Sequence, residues 1–151
     1  RYLEAHPAMS PDGKWLAWVS DATGRPEVMV RRYPDGVDVQ VSHEGALEPT
    51  WGPHGRELFF RDMTGRRMLA ANFVGGDPPR IETPRLLFSG NFMWPEFYGR
   101  YYDISPDGHR FLMSRSPLEF IGPGYVSIGT EMRIVPRFDE EVRRKIRSAS
   151  R

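Results

Sequence analysis

Residues 10–21 read "SPDGKWLAWVSD", and this stretch decides the fold. Pro11 presets the first central position of a tight turn, Asp12 can hydrogen-bond the turn backbone, and Gly13 supplies positive φ. The turn runs straight into Trp15-Leu16-Ala17-Trp18-Val19. Consecutive apolar residues, with no alternation toward water, predict a strand covered on both faces.

The pattern recurs. "PAMSPDGKWLAWVS" from Pro7, "PTWGPHGRELFFRD" from Pro49 and "YDISPDGHRFLMSR" from Tyr102 align on Pro11, Pro53 and Pro106, which are 42 and 53 residues apart. A period of about 40–45 residues is that of a four-stranded propeller blade, and the longer step implies an insertion of roughly eleven residues. After each turn glycine come Leu16-Ala17-Trp18, Leu58-Phe59-Phe60 and Phe111-Leu112-Met113, as expected for strands sandwiched between neighbouring blades. "TGRPEVMVRRYP" (23–34) and "TGRRMLAANFVG" (64–75) then predict third strands, and 38–45 and 84–91 fourth strands. The last unit is less regular: "SPLEFIGPGYVSIGT" (116–130) reads as a loop, "EMRIV" (131–135) as a strand and 138–147 as a helix, with no fourth strand. The chain therefore reads as one all-β domain over 1–151, a partial β-propeller. Blade 1 covers about 6–45, blade 2 about 46–92 and an incomplete blade 3 about 98–136, followed by the short C-terminal helix.

Composition agrees and excludes several classes. Fourteen prolines and 15 glycines favour a turn-rich fold over a helical bundle. The balance of 21 basic against 20 acidic residues, net +1, gives no case for a nucleic-acid partner. Cysteine is absent, which excludes disulfide scaffolds and thiolate zinc sites. No run approaches the roughly 20 apolar residues of a membrane span. The opening "RYLEAHPAM" does not read as a signal peptide. Without an initiator Met, the chain reads as a mature product, an excised fragment or an incomplete reading frame.

"SPDG" twice, "GRPEV", "EPTWGPHGRELFFRD" and "YYDISPDGHRFLM", all in register from about His6 to Ile146, resemble the TolB-like β-propeller family. The resemblance extends to the C-terminal half of propellers appended to bacterial serine/threonine kinases, whose closing strand and helix are similar to "RIVPRFDEEVRRKI". One departure is the second unit, where Gly52 and His54 replace the usual Ser and Asp. Such propellers have six or more blades, so the resemblance implies half of a six-bladed ring. A half ring leaves blade faces and a strand edge unpaired. Two ways of closing it stay open: a longer chain, or a homodimer. The resemblance also implies protein–protein or small-ligand sensing in a signalling protein, outside the cytoplasm.

No residue pattern in the sequence points to a catalytic, cofactor-binding or metal-binding residue. Similar propellers cap prolyl-oligopeptidase-like peptidases, but no Gly-x-Ser-x-Gly elbow occurs. "HEGAL" (43–47) begins like a zinc-peptidase helix, yet Leu47 stands where the second His is needed and Gly45 weakens the helix. His54 and His109 read as solvated turn residues. Asp12 and Asp107 read as turn caps before calcium ligands, since a hard cation wants several oxygens together. "VGGDPPR" (74–80) lacks the continuation of a phosphate loop and reads as a hairpin connection.

Two features stand out beyond the repeat. "NFMWPEFYGRYY" (91–102) gathers Phe92, Trp94, Phe97, Tyr98, Tyr101 and Tyr102 where a fourth strand leads toward the next blade. Phe92, Trp94, Phe97, Tyr98 and Tyr101 are the candidate binding or subunit surface, since rigid rings give contact area at low entropy cost. The other reading is that they cover the blade beneath. Helix 138–147 carries Phe138, Val142 and Ile146 on one stripe, which suits packing on the last blade, with a basic end. Ser10, Pro11, Asp12, Gly13, Pro53, Gly55, Ser105, Pro106, Asp107 and Gly108 are assigned to the repeated turns. The expected function is a non-enzymatic recognition or assembly module without a cofactor. Its expected partner is a second copy or the remainder of a larger propeller, with a protein or peptide ligand. The alternative is an accessory, substrate-gating half of an enzyme such as a prolyl-oligopeptidase-like peptidase, with its catalytic domain elsewhere.

Overall fold

The computed structural model describes residues 1–94, 99–115 and 131–136. Within them the chain forms three antiparallel sheets, one per sequence repeat. The first runs as a meander through β1 (Glu4–Met9), β2 (Trp15–Ser20), β3 (Glu27–Arg32) and β4 (Val39–Gln40). The second contains β5 (Ala46–Trp51), β6 (Glu57–Asp62), β7 (Arg67–Val74) and β9 (Arg85–Ser89), with β9 paired on β7. A two-residue strand, β8 (Arg80–Ile81), folds back on the end of β7, so 75–79 is a hairpin connection. The third comprises β10 (Tyr102–Ile104), β11 (Arg110–Arg115) and β12 (Glu131–Pro136). The insertion 116–130, the helix expected at 138–147, and Phe97 and Tyr98 lie outside the described residues.

The repeated turns are built as their residues dictate. The hydroxyl of Ser10 donates to Asp12 Oδ1 at 2.6 Å and accepts from the Trp15 amide at 2.9 Å, while Asp12 accepts from the Lys14 amide at 3.1 Å. Ser105, Asp107, His109 and Arg110 repeat this arrangement. In the second turn, Gly52 cannot supply the hydroxyl, yet the Gly55 amide still donates to the Gly52 carbonyl at 2.9 Å. Gly13, Gly55 and Gly108 take φ of 70°, 64° and 71°, values that favour glycine. The turns also stack from sheet to sheet. A Cβ on Gly55 would lie 3.6 Å from Pro11 Cδ and one on Gly108 3.3 Å from Pro53 Cδ, whereas one on Gly13 meets nothing within 4 Å among the described residues.

The core lies between the sheets. Trp15, Ala17, Val19, Val28 and Val30 of the first sheet pack against Leu58, Phe60, Ala71 and Phe73 of the second. Phe59, Met68 and Ala70, on the second sheet's other face, meet Phe111 and Met113 of the third. Phe73 sits edge-on between Trp15 and Trp51, and Phe59 edge-on to Phe111 at 5.1 Å between centroids; such pairs add about 0.5–1.5 kcal/mol beyond their buried area. Period-2 side-chain alternation thus lets β6 serve two joints at once, which explains its unbroken apolar run, while β2 enters one joint through Trp15, Ala17 and Val19. Strand β11 departs from that expectation. Phe111 and Met113 are buried, but Leu112 between them is 36% exposed.

Candidate functional site

The first strands of sheets one and two each carry a bulge at the same repeat position. His6 and Pro7 together oppose Trp18, between the pairs Ala5–Val19 and Ala8–Ala17. Glu48 and Pro49 together oppose Phe60, between Leu47–Arg61 and Thr50–Phe59. His6 and Glu48 adopt φ of 53° and 58°, which is uncommon away from glycine and marks a constrained site. The bulges re-aim the chain, and the Glu48 amide donates to His6 Nδ1 at 3.1 Å. The two bulges and the approach to β10 enclose a cleft of about 620 Å³, lined by His6, Pro7, Glu48, Pro49, Arg100 and Tyr102 among others.

Beneath this cleft lies a charge pair with no exposure. Arg61 Nη1 donates to Glu48 Oε2 at 3.1 Å, and both side chains are 0% exposed. Arg61 also donates to the carbonyls of Gly65 and Met93, while Glu48 Oε1 accepts from the Tyr101 amide at 3.0 Å. Burial pushes the Glu48 carboxyl above its usual range, opposed by the Arg61 guanidinium. Burial likewise lowers Arg61, opposed by Glu48. The Tyr102 hydroxyl donates to the Glu48 carbonyl at 2.6 Å, and burial raises its pKa further above the ordinary phenol range. These contacts clamp the segment entering blade 3 onto the bulge of blade 2. Arg100 and Asp103 also line the cleft, and Arg100 reaches Thr50 Oγ1 at 3.0 Å and Asp103 at 3.4 Å.

The predicted aromatic residues divide among different environments. Phe92 packs on the core between sheets two and three, 5.9 Å from Phe88 between centroids. Trp94 is 60% exposed. Tyr101 is half-buried, with its amide on Glu48, and its neighbour Tyr102 is buried. The ten turn residues occupy the repeated turns just described. Segment 43–47 leads into β5 with Gly45 at φ 83°, and the His43 carbonyl accepts from Arg25. That clamp holds Arg25 beside Glu27, a buried carboxylate that also accepts from Ser42 and the Gly45 amide.

Sequence reasoning did not single out Glu48 or Arg61. One signal was available: His6-Pro7 and Glu48-Pro49 are ionisable-proline pairs five residues before Pro11 and Pro53. Arg61 left none, because a lone arginine at a strand end reads as a solvated residue.

No family model matches the chain. A curated relative, the TolB homolog of Chlorobaculum tepidum, is 33% identical over 54 residues, which are 35% of this chain and 12% of that protein. Among solved structures, TolB of Agrobacterium tumefaciens superposes with a TM-score of 0.59 at 17% identity, over 90% of this chain and 46% of that one. An oligogalacturonate lyase of Vibrio parahaemolyticus gives 0.55 at 12% identity, over 75% of this chain and 30% of that one. The chain thus spans less than half the length of each of these three proteins. Three stacked antiparallel sheets, the repeated turns and these superpositions agree: the fold is that of a TolB-like β-propeller.

Proposed function

We propose that the chain is a non-catalytic propeller module for recognition and assembly, which associates with itself to complete a ring. The observation that carries the recognition reading is the state of the cleft's buried ionisable groups. Glu48, Arg61 and the Tyr102 hydroxyl are all engaged in holding backbone, and burial pushes the tyrosine away from an acid–base role near neutral pH. A cleft with such rigid walls suits binding, with Arg100, Asp103 and the two prolines facing the ligand. Self-association is supported by the apolar residues left open at the two ends of the stack, Leu112, Met132 and Ile134 on the third sheet and Met9 on the first. The relation to kinase-appended propellers rests on the sequence resemblance alone. Light scattering behind a sizing column tests the assembly. A species of twice 17.4 kDa is expected, and a 17.4 kDa species at every concentration would overturn it.

A second reading is favoured by the superposition on a lyase: the chain is an accessory part of an enzyme whose catalytic groups lie elsewhere. Flanking coding sequence separates the two, since a catalytic domain beside this one supports the second.

A further inference from the structure

Equivalent positions of the three sheets can be compared directly, because the strand pairings are the same. Ala17 pairs with Val30 in the first sheet, Phe59 with Ala70 in the second and Leu112 with Ile134 in the third. One step along, Val28, Met68 and Met132 occupy the same place. In the first two sheets these positions face the next blade, and Ala17, Val28, Val30, Phe59, Met68 and Ala70 are all 0% exposed. In the third, Leu112, Met132 and Ile134 are 36%, 58% and 64% exposed. A groove of about 280 Å³ runs across this face, lined by Pro106, Leu112 and Ile134 among others.

The opposite end of the stack shows the complementary half of a joint. Leu16 of β2 stands where Leu58 and Phe111 stand, the residues that enter a joint from the following blade, yet it is only half-buried. Met9, at the position of buried Trp51, is 46% exposed. The turn beside them is bare as well. Pro11 sits against Gly55 and Pro53 against Gly108, but among the described residues nothing lies against Gly13. One substitution marks this face. Arg31 takes the place of Ala71, lying over the Trp18 ring at 5.0 Å and paired with Asp38 at 2.7 Å.

From this we infer that the outward face of blade 3, centred on Leu112, Met132 and Ile134, seats on Leu16, Met9 and Gly13 of blade 1 in a second copy of this chain. The inference rests on the self-association proposed above and assigns its surface. In the existing joint, Phe59 meets Phe111; the corresponding pair across the new joint is Leu112 against the partner copy's Leu16. Pro106 then takes the place against Gly13 that Pro53 takes against Gly108. Unlike patches joined head to tail close at two copies when each chain spans half a turn, so the dimer has two equal joints and no open face.

The test compares wild type with Leu112→Asp, Ile134→Asp and Leu86→Asp by light scattering across the accessible concentration range. Leu86 is an apolar control, 52% exposed on β9 of the middle sheet. A carboxylate buried in an apolar joint is strongly disfavoured, so each face variant is expected to weaken the dimer by about 100-fold or more. Leu86→Asp should leave it unchanged. Adding Leu16→Lys to Leu112→Asp should restore part of the loss by placing opposite charges together. Circular dichroism of each variant confirms that it folds. A wild-type dimer that Leu112→Asp and Ile134→Asp leave intact would overturn this surface while self-association stands. A wild type that remains monomeric would overturn both, leaving the outward face to blades of a longer chain.

Discussion

Glu48 and Arg61 show how one buried pair can join two blades. Neither side chain touches water, so removing one partner leaves the other charged and uncompensated. Arg61→Met should cost about 3–5 kcal/mol in urea unfolding, whereas replacing both with apolar residues of similar volume should cost far less. A double-mutant cycle reads the difference directly, and additive losses would show that the two act separately. The pair also connects blades. Arg61 reaches the carbonyl of Met93, and Glu48 holds the Tyr101 amide. Its loss should therefore loosen the segment leading into β10, read as faster amide exchange at Tyr101 and Tyr102.

Turns and strands were legible in the sequence to different degrees. The turns could be read fully, because Ser, Pro, Asp and Gly act on the backbone within a few residues of themselves. The apolar run of β6 was legible for the same reason that it is buried: two joints need both faces. The bulges were not, since an inserted residue leaves hydropathy unchanged. Nor was the division of the aromatic segment, where Phe92 joins the core and Trp94 meets solvent, because nearness in sequence does not fix a face outside a regular strand. The turns make a prediction of their own. Hydrogen bonds from the Ser105 hydroxyl and the His109 amide, aided by Arg110, hold the Asp107 carboxyl down at about 2, and Asp12 is lowered by Ser10 and the Lys14 amide. A carboxylate lowered in the folded state stabilises above its ordinary pKa and loses that contribution as pH falls through the folded value. Urea midpoints should therefore drop between about pH 4 and pH 2, and more shallowly for Asp107→Asn. Equal slopes would show that the turn carboxylate does not contribute.

At the scale of the whole molecule, stability and assembly become one quantity. If folding is coupled to pairing of two chains, mass action makes the melting temperature rise with concentration, by about 1.4 kcal/mol of apparent stability per tenfold. Scanning calorimetry at several concentrations should show this for wild type and lose it for Leu112→Asp. A concentration-independent melt would mean that the three sheets are stable by themselves. The row of prolines against glycines bears on the same question. At one end of the stack, sheet-to-sheet spacing is set by a proline ring resting where a glycine has no side chain, with only 3.3 Å between Pro53 Cδ and a Cβ placed on Gly108. One added methyl there acts as a wedge, opening that end of the joint while the other stays closed. The missing Cβ is thus a spacer that meters the angle between blades, and that angle fixes how many blades complete a circle.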